Sequence, residues 1–155
     1  PLDTRKTAPG LRVLDKMAVK AGGGTNDRMG LYDMAMIKDN HIKMAGGITK
    51  AVEQVRANIP AGVKIEVEAT NLAEVQEAVA AGADIIMFDN MTNEAMTEAA
   101  AYIKSTGKPI KTEASGNMSI PRLKEVAATG VDYISVGALT HTVKAMDISM
   151  NIQVE

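Results

Sequence analysis

Residues 81–87 read AGADIIM, and residues 129–135 read TGVDYIS. Each stretch combines the end of a predicted helix, a glycine that can cap it, an aspartate and a short apolar run. Short apolar runs of this kind are typical of strands that are buried on both faces of a parallel sheet. The repetition of one strand-and-helix unit favours a (β/α) barrel over a doubly wound sheet.

The same alternation of strand and helix extends along the chain in both directions. Apolar residues at helical spacing predict helices over 11–21, 48–59, 72–81, 93–107, 119–128 and 139–145, with Asn71 capping the third of them. Apolar runs predict strands over 1–3, 32–38, 63–69, 84–88, 109–114 and 133–136, the first of them truncated. A complete barrel takes roughly 250 residues. The 155 residues therefore predict an incomplete (β/α) TIM-like barrel of about six parallel strands, in one catalytic domain.

The composition excludes several classes of protein. The net charge is −2 at pH 7, so we expect no binding to nucleic acid or to anionic lipid. No apolar run of about 18 residues predicts a membrane span, and no signal peptide opens the chain. The absence of cysteine excludes disulfides and predicts a cytoplasmic protein. Because the chain begins at Pro1 without a methionine, we expect a further segment before it in the native protein.

Charged and small polar residues follow each predicted strand. The catalytic groups of α/β barrels lie at these carboxyl ends. The ends carry Asp3–Thr7, Lys38–His41, Glu66 with Glu68, Asp89 with Asn90, Glu113–Asn117 and Ser135–Ala138. Individually these residues also fit structural roles: a solvated basic pair, a salt-bridge ladder, a helix cap, an oriented histidine, a turn or close packing. Their common place on one rim favours a site for anionic, phosphorylated small molecules.

One side of this rim is predicted to be basic. Guanidinium and ammonium groups clustered there would bind carboxylates or a pyrophosphate. The predicted cations are Arg5, Lys6, Arg28 and Lys38.

The remaining rim is predicted to contact a sugar, a metal and a phosphate. Glu68 and Asp89 lie on neighbouring strands and would hold Mg²⁺, usually through water, or accept hydrogen bonds from sugar hydroxyls. The loops at 115–117 and 137–138 each precede a predicted helix. Two such adjacent late loops commonly bind a phosphate in barrels.

Seven motifs in combination resemble the quinolinate phosphoribosyltransferase family. They read DTRKTAPG at 3–10, GGGTN at 22–26, MIKDNH at 36–41, IEVE at 65–68, DNM at 89–91, EASGN at 113–117 and SVGALT at 135–140. The resemblance implies a type II phosphoribosyltransferase barrel that joins quinolinate to phosphoribosyl pyrophosphate and releases pyrophosphate and carbon dioxide. The implied product is nicotinate mononucleotide, on the de novo route to NAD.

The resemblance also implies a role for each candidate residue. The quinolinate carboxylates and the pyrophosphate would be held by Arg5, Lys6, Arg28 and Lys38. The ribose hydroxyls and Mg²⁺, the implied cofactor, would be contacted by Glu68 and Asp89, which with Lys38 are the implied catalytic residues. The 5′-phosphate would be bound by Ser115, Gly116, Asn117, Gly137 and Ala138. The full-length protein is expected to be a homodimer or larger homo-oligomer.

Two departures from the family pattern affect these expectations. The family usually has Asn-His-Arg where this chain has Asn26-Asp27-Arg28, and the family histidine helps bind a quinolinate carboxylate that Asp27 would repel. The family also carries an N-terminal domain that closes the partner's active site, so we expect the 155 residues alone to turn over poorly. Two alternatives stay open: a related enzyme associated with molybdenum-transport loci, and a non-catalytic phosphate-binding barrel.

Overall fold

The computed structural model describes residues 1–154, in which five strands alternate with helices. The strands are β1 (Ala35–Ile37), β2 (Ile65–Ala69), β3 (Ile85–Asp89), β4 (Lys111–Ser115) and β5 (Tyr133–Ile134). The helices are α1 (Arg12–Ala21), α2 (Asp39–Ala45), α3 (Ile48–Asn58), α4 (Leu72–Ala81), α5 (Asn93–Ser105), α6 (Ile120–Ala127) and α7 (Ala138–His141). The five strands are all parallel and lie in the sheet in their order along the chain.

The amino-terminal segment extends this sheet beyond β5 without forming a strand. The Leu2 N–H donates to Ile134 O at 2.8 Å, and the Leu2 carbonyl accepts from Val136 N at 2.9 Å. Leu2 also bridges Thr25 on its other side. Because only this one residue pairs, the strand expected at 1–3 is an isolated bridge, and the described strands number five rather than about six. Within residues 1–154, no strand pairing joins the Thr25 segment to β1.

The two faces of the sheet differ because side chains alternate along each strand. One face packs aliphatic and aromatic residues, among them Val67, Ile86 and Phe88, into the core that it shares with the helices. The other face carries polar residues and methionines: Met36, Glu68, Met87, Asp89, Glu113 and Ser115. Polar groups therefore point away from the aliphatic core, toward a cavity.

The two similar stretches at 81–87 and 129–135 have the same local structure. Gly82 and Gly130 both adopt a positive φ, +82° and +88°, which glycine reaches without strain. The carboxylate of Asp84 then accepts a hydrogen bond from the first amide of β2 at 2.8 Å. The carboxylate of Asp132 accepts one from the second amide of β4 at 2.9 Å. Each aspartate thereby ties the start of its strand to the preceding strand, as the repeated sequence predicts.

Most helices and strands lie close to their predicted bounds. Asn71 caps α4 as predicted, since its side chain accepts a hydrogen bond from Glu74 N at 3.0 Å. The strand predicted at 32–38 is limited to 35–37, and the helix predicted at 139–145 is limited to 138–141. The sequence does not predict α2, because none of its residues is buried and it has no apolar stripe. No helix in the described part of the chain is long and apolar enough to cross a membrane.

Candidate active site

A cavity of about 940 Å³ lies at the carboxyl ends of the strands. Every predicted site residue lines it: Arg5, Lys6, Arg28, Lys38, Glu68, Asp89, Ser115, Gly116, Asn117, Gly137 and Ala138. Asp27 lines the cavity as well. The structure therefore brings together residues from seven separate stretches of the chain, while the roles assigned to them stay predictions.

The basic side of the cavity contains unsatisfied donors. Among residues 1–154, the Nε atoms of Arg5 and Arg28 are buried and have no hydrogen-bond partner. Arg28 Nε lies 3.7 Å from Asp27 Oδ2, and Lys38 Nζ lies 2.5 Å from Glu68 Oε1. A buried donor without a partner costs free energy. An anionic ligand would satisfy both arginines with charge-assisted hydrogen bonds.

A buried network positions the loop at 26–28, which carries two of these cavity residues. Asp3 and Lys16 form an ion pair at 2.5 Å between side chains that are 0% and 1% exposed. Asp3 also accepts hydrogen bonds from Asn26 Nδ2 at 2.7 Å and from Asp27 N at 2.8 Å. Removing either charge would leave the other buried and unpaired, which is strongly destabilising. Lys16 was not predicted to take part in the site. A lysine on the buried face of an amphipathic helix indicates a buried anionic partner, and this signal could have identified it.

Glu68 and Asp89 reach the cavity from neighbouring strands. In the register, Glu68 lies opposite Met87, two residues before Asp89. No group of three or more His, Cys, Asp or Glu residues is placed to hold a metal ion in the described part of the chain. Two carboxylates without a complete cage suit Mg²⁺, which commonly keeps water and substrate phosphates among its ligands. The residues present therefore fit an indirectly held Mg²⁺ ion.

The first predicted phosphate loop, Ser115–Asn117, has a backbone that requires glycine at its centre. Gly116 has a φ of +98°, and a Cβ there would lie 2.2 Å from Asn90 Oδ1. The same Asn90 oxygen accepts a hydrogen bond from Asn117 Nδ2 at 3.2 Å. Arg122 of α6 donates to Gly116 O at 2.9 Å. The loop leads into the amino terminus of α6, and free backbone N–H groups at helix starts bind phosphates.

The second predicted phosphate loop, at 137–138, is packed against His141. A Cβ at Gly137 would lie 2.9 Å from the His141 ring. Thr140 is buried, and its hydroxyl lies 3.2 Å from the hydroxyl of Thr4. This contact joins the second loop to the strand end that carries the basic pair. His141 and Asn90 line the cavity without having been assigned a role. His141 follows the motif at 135–140, and Asn90 lies inside the motif at 89–91 but is not one of the predicted contact residues.

Two carboxyls are buried at the bottom of the site. Glu113 lines the cavity and accepts a hydrogen bond from Ser135 Oγ at 2.5 Å. Burial raises the pKa of Glu113 to about 7, against the lowering effect of the Ser135 hydrogen bond. Glu66 lies beneath the cavity, and neither of its oxygens has a hydrogen-bond partner within residues 1–154. Burial, together with the charges of Glu113 and Asp27, raises the pKa of Glu66 to about 9.

The salt-bridge ladder considered for Glu66 and Glu68 is half correct. Glu68 pairs with Lys38, whereas Glu66 has no cationic partner within hydrogen-bond reach. His41 is an oriented histidine, as interpreted from the sequence, since its Nδ1 accepts a hydrogen bond from Lys38 N at 3.0 Å.

The sequence of this chain matches a known protein family over nearly its whole length. The model of the family described as quinolinate phosphoribosyl transferase, C-terminal domain, matches residues 1–151. The chain belongs to this family. The match confirms the resemblance from which the roles of the site residues were taken.

Curated members of the family are similar in sequence over nearly all of this chain. A protein of Synechocystis sp. named probable nicotinate-nucleotide pyrophosphorylase (carboxylating) is 50% identical over 151 residues, which cover 97% of this chain and 51% of the relative. A Bacillus subtilis protein of the same name is 52% identical over 150 residues, with the same coverage. The chain therefore spans about half the length of these relatives.

Solved structures from the family share the fold. The NadC structure from Streptococcus pyogenes is 44% identical, has a TM-score of 0.90, and is matched over 97% of this chain and 52% of its own. The nicotinate-nucleotide pyrophosphorylase of Francisella tularensis is 48% identical, has a TM-score of 0.89, and is matched over 96% and 51%. These likenesses confirm the α/β fold with its parallel sheet.

Proposed function

We propose that this protein transfers the phosphoribosyl group from phosphoribosyl pyrophosphate to quinolinate, with decarboxylation to nicotinate mononucleotide, as a step of NAD biosynthesis. The observation that carries the proposal is the cavity in which Arg5 and Arg28, whose buried Nε atoms have no hydrogen-bond partner, face two carboxylates and a glycine turn. The names of the relatives describe the same reaction written in reverse, as a carboxylating pyrophosphorylase.

The basic side would bind quinolinate and the pyrophosphate. Quinolinate carries two adjacent carboxylates, and planar guanidinium groups bind carboxylates through paired hydrogen bonds. Arg5 and Arg28 therefore suit the pyridine dicarboxylate, and Lys6 and Lys38 suit the more mobile pyrophosphate. Holding the ring nitrogen against the anomeric carbon of the ribose turns a bimolecular encounter into a positioned reaction.

The carboxylate side would stabilise the ribose in the transition state. Departure of pyrophosphate leaves positive charge on the ribose ring, and Glu68 and Asp89 favour that charge because they are negative and partly shielded from water. Lys38 holds Glu68 in place and adds a positive charge near the leaving group. When bound, Mg²⁺ would neutralise part of the negative charge of the pyrophosphate. The 5′-phosphate would lie against Ser115–Asn117 and Gly137–Ala138.

The same proposal extends to the shape and assembly of the whole enzyme. Leu2 and Thr25 extend the sheet beyond β5, which supports an incomplete type II phosphoribosyltransferase barrel that the amino-terminal segment continues. Exposed apolar residues on α1, among them Leu14 and Met17, support a homodimer. A chain without cysteine suits the cytoplasm, whereas several plant relatives are named as chloroplastic or mitochondrial.

The proposal is tested by substrate choice. Quinolinate, nicotinate and nicotinamide are each offered with phosphoribosyl pyrophosphate and Mg²⁺, to this chain and to a version that carries the family's N-terminal domain. We expect nicotinate mononucleotide from quinolinate only. Lys38→Met should abolish it, whereas Lys43→Met, which removes an exposed lysine outside the cavity, should retain it.

Other outcomes would favour the alternatives. Turnover of nicotinate but not quinolinate would contradict the proposal, and Asp27 is the residue that would then explain the changed substrate. Phosphate binding without turnover of any pyridine, even with the N-terminal domain present, would favour a non-catalytic barrel.

A further inference from the structure

Glu113 is a cavity residue to which the proposed function assigns no role. It lies on β4 two residues below the phosphate loop, and only 2% of its surface is exposed. In the sheet it is flanked by Met87 of β3 on one side and Tyr133 of β5 on the other. An apolar neighbour, deep burial and access to the cavity are the conditions under which a carboxylic acid keeps its proton near neutral pH.

Among the groups around Glu113, Asp27 favours a proton on it and adds to the effect of burial. The hydrogen bond from Ser135, the interaction with Glu66 and the charge of Arg28 favour the carboxylate instead, so burial is the main cause of the raised pKa of Glu113. Arg28 is itself within 3.7 Å of Asp27, so part of its charge is already neutralised. Glu66, on β2, is a near neighbour of Glu113, and its carboxyl oxygens have no cation within hydrogen-bond distance. The floor of the cavity, formed by Glu66 and Glu113, therefore has more carboxyl groups than cations.

The reaction requires an acid at this place. Once the ribose is attached, the pyridine nitrogen is positive, and the bond between C2 and its carboxylate can break with the electron pair remaining on C2. Carbon dioxide leaves, and C2 then needs one proton. The proton must arrive where the departing carboxylate was held, which is beside the arginines that bind quinolinate. Glu113 shares the cavity with Arg5 and Arg28.

We propose that Glu113 is the catalytic acid that protonates C2 after decarboxylation, an inference that rests on the proposed function. The O–H bond of Glu113 breaks, the C2–H bond forms, and Glu113 is left as a carboxylate. The Ser135 hydroxyl stabilises that carboxylate by hydrogen bonding. Water entering the open cavity returns the proton, so that no further reactant is needed.

The reverse of this step tests the inference without requiring turnover. In D₂O, the carboxylate of Glu113 would remove the C2 proton of bound nicotinate mononucleotide, and the signal of that proton would disappear from the ¹H NMR spectrum. We expect the chain to accelerate this exchange by about 100-fold over free nucleotide, the usual contribution of a positioned acid or base. Glu113→Gln should return the rate to that of free nucleotide while nicotinate mononucleotide still binds by calorimetry.

Glu66→Gln is the matched control, because it makes the same change on the same floor at a residue that does not line the cavity. We expect it to keep exchange within about threefold of the unaltered chain, because residue 66 does not reach the cavity and so cannot transfer a proton to or from C2. Thermal unfolding of both variants shows whether each is folded. Glu113→Asp, which moves the acid back by one methylene, should restore part of the exchange if the first variant is unstable.

The remaining outcomes separate the inference from the proposed function. Exchange that persists in folded Glu113→Gln, or binding of nicotinate mononucleotide to the unaltered chain without exchange, overturns the inference and leaves the proposed function intact. Failure of the unaltered chain to bind nicotinate mononucleotide counts against the proposed function, and the inference fails with it. In a version that turns over, Glu113→Gln should release pyrophosphate faster than it forms nicotinate mononucleotide.

Discussion

Asp27 places a negative charge beside the guanidinium that is expected to bind the substrate. Its carboxylate lies 3.7 Å from Arg28 Nε, and both side chains are largely buried. A substrate carboxylate must therefore compete with Asp27 for Arg28. We expect Asp27→His to raise quinolinate affinity about tenfold, the size of one charge-assisted hydrogen bond gained in place of a repulsion. Isothermal titration calorimetry measures the change.

Asp27→Asn separates the two contributions to this effect. It removes the charge without adding an imidazole, so its affinity should lie between that of the unaltered chain and that of Asp27→His. Unchanged or weaker quinolinate binding in Asp27→His would contradict the placement of this residue against the substrate.

Glu66 links stability to pH in the opposite direction from an ordinary carboxylate. Its pKa is about 9 in the folded protein against 4.5 in an unfolded chain, so the folded state binds more protons between these values. The free energy of unfolding therefore falls as pH rises through that window. We expect Glu66→Gln to weaken this fall, as measured by urea unfolding at about pH 6 and about pH 8.5.

Glu53→Gln is the control for this prediction, because Glu53 is exposed on α3 and makes the same chemical change outside the core. It should leave the pH dependence unchanged. A steep fall in stability that survives in Glu66→Gln would show that another group holds the proton.

Among the structural elements, the first phosphate loop depends most on one backbone position. Gly116 combines a φ of +98° with a close approach of Asn90. Gly116→Ala would both strain the backbone and displace Asn90, so we expect inorganic phosphate and phosphoribosyl pyrophosphate to bind at least about tenfold more weakly. Calorimetry measures both ligands.

Gly82→Ala provides a matched comparison. Gly82 has a similar φ of +82°, but a Cβ there would meet nothing within 4 Å and the residue lies outside the cavity. It should lose about 1 kcal/mol of stability from the positive φ alone, with phosphate binding unchanged. Equal losses of binding in the two variants would mean that general instability, rather than the loop, is responsible.

Elements with strong local signals are the ones that the sequence predicts well. α4 has a capping asparagine, a capping glycine and buried apolar residues at helical spacing, and its bounds agree with the prediction. α2 lacks an apolar stripe and depends on its place between β1 and α3, so no local pattern indicates it. The strand at 35–37 is shorter than predicted because strand length is set by pairing with β2 rather than by residue type.

Across the described chain, several large apolar side chains are exposed to water, which is energetically unfavourable. Leu14 and Met17 of α1 are 60% and 62% exposed, and Met146, Ile148 and Met150 are more than 80% exposed. Such surface commonly marks an interface. We expect the 155 residues to self-associate at micromolar concentration, and a version with the family's N-terminal domain to do so in a defined dimer. Analytical ultracentrifugation distinguishes these states.

Catalytic turnover is also expected to differ between the 155 residues alone and a version that carries the N-terminal domain. The cavity is open, and water in an open site weakens the electrostatic interactions on which the proposed transfer depends. We expect little steady-state formation of nicotinate mononucleotide by the 155 residues and a large increase with the N-terminal domain present. Equal activity in both versions would contradict this prediction.

Local sequence patterns are enough to predict the alternation of strands and helices, the apolar face of each, and the residues at the strand ends. These follow from local propensity, side-chain periodicity and capping, which act over a few residues. The spacing of the motifs indicates the family, and every site residue predicted from it lines the cavity.

Which of these residues contact one another, and whether their carboxyl groups carry a proton, depends on the folded chain. The pairing of Asp3 with Lys16, the proximity of Asp27 to Arg28, and the burial of Glu66 and Glu113 join segments far apart in the chain. Whether a carboxyl is a solvated anion or a buried acid depends on the dielectric and charges around it, and residues distant in sequence supply that environment.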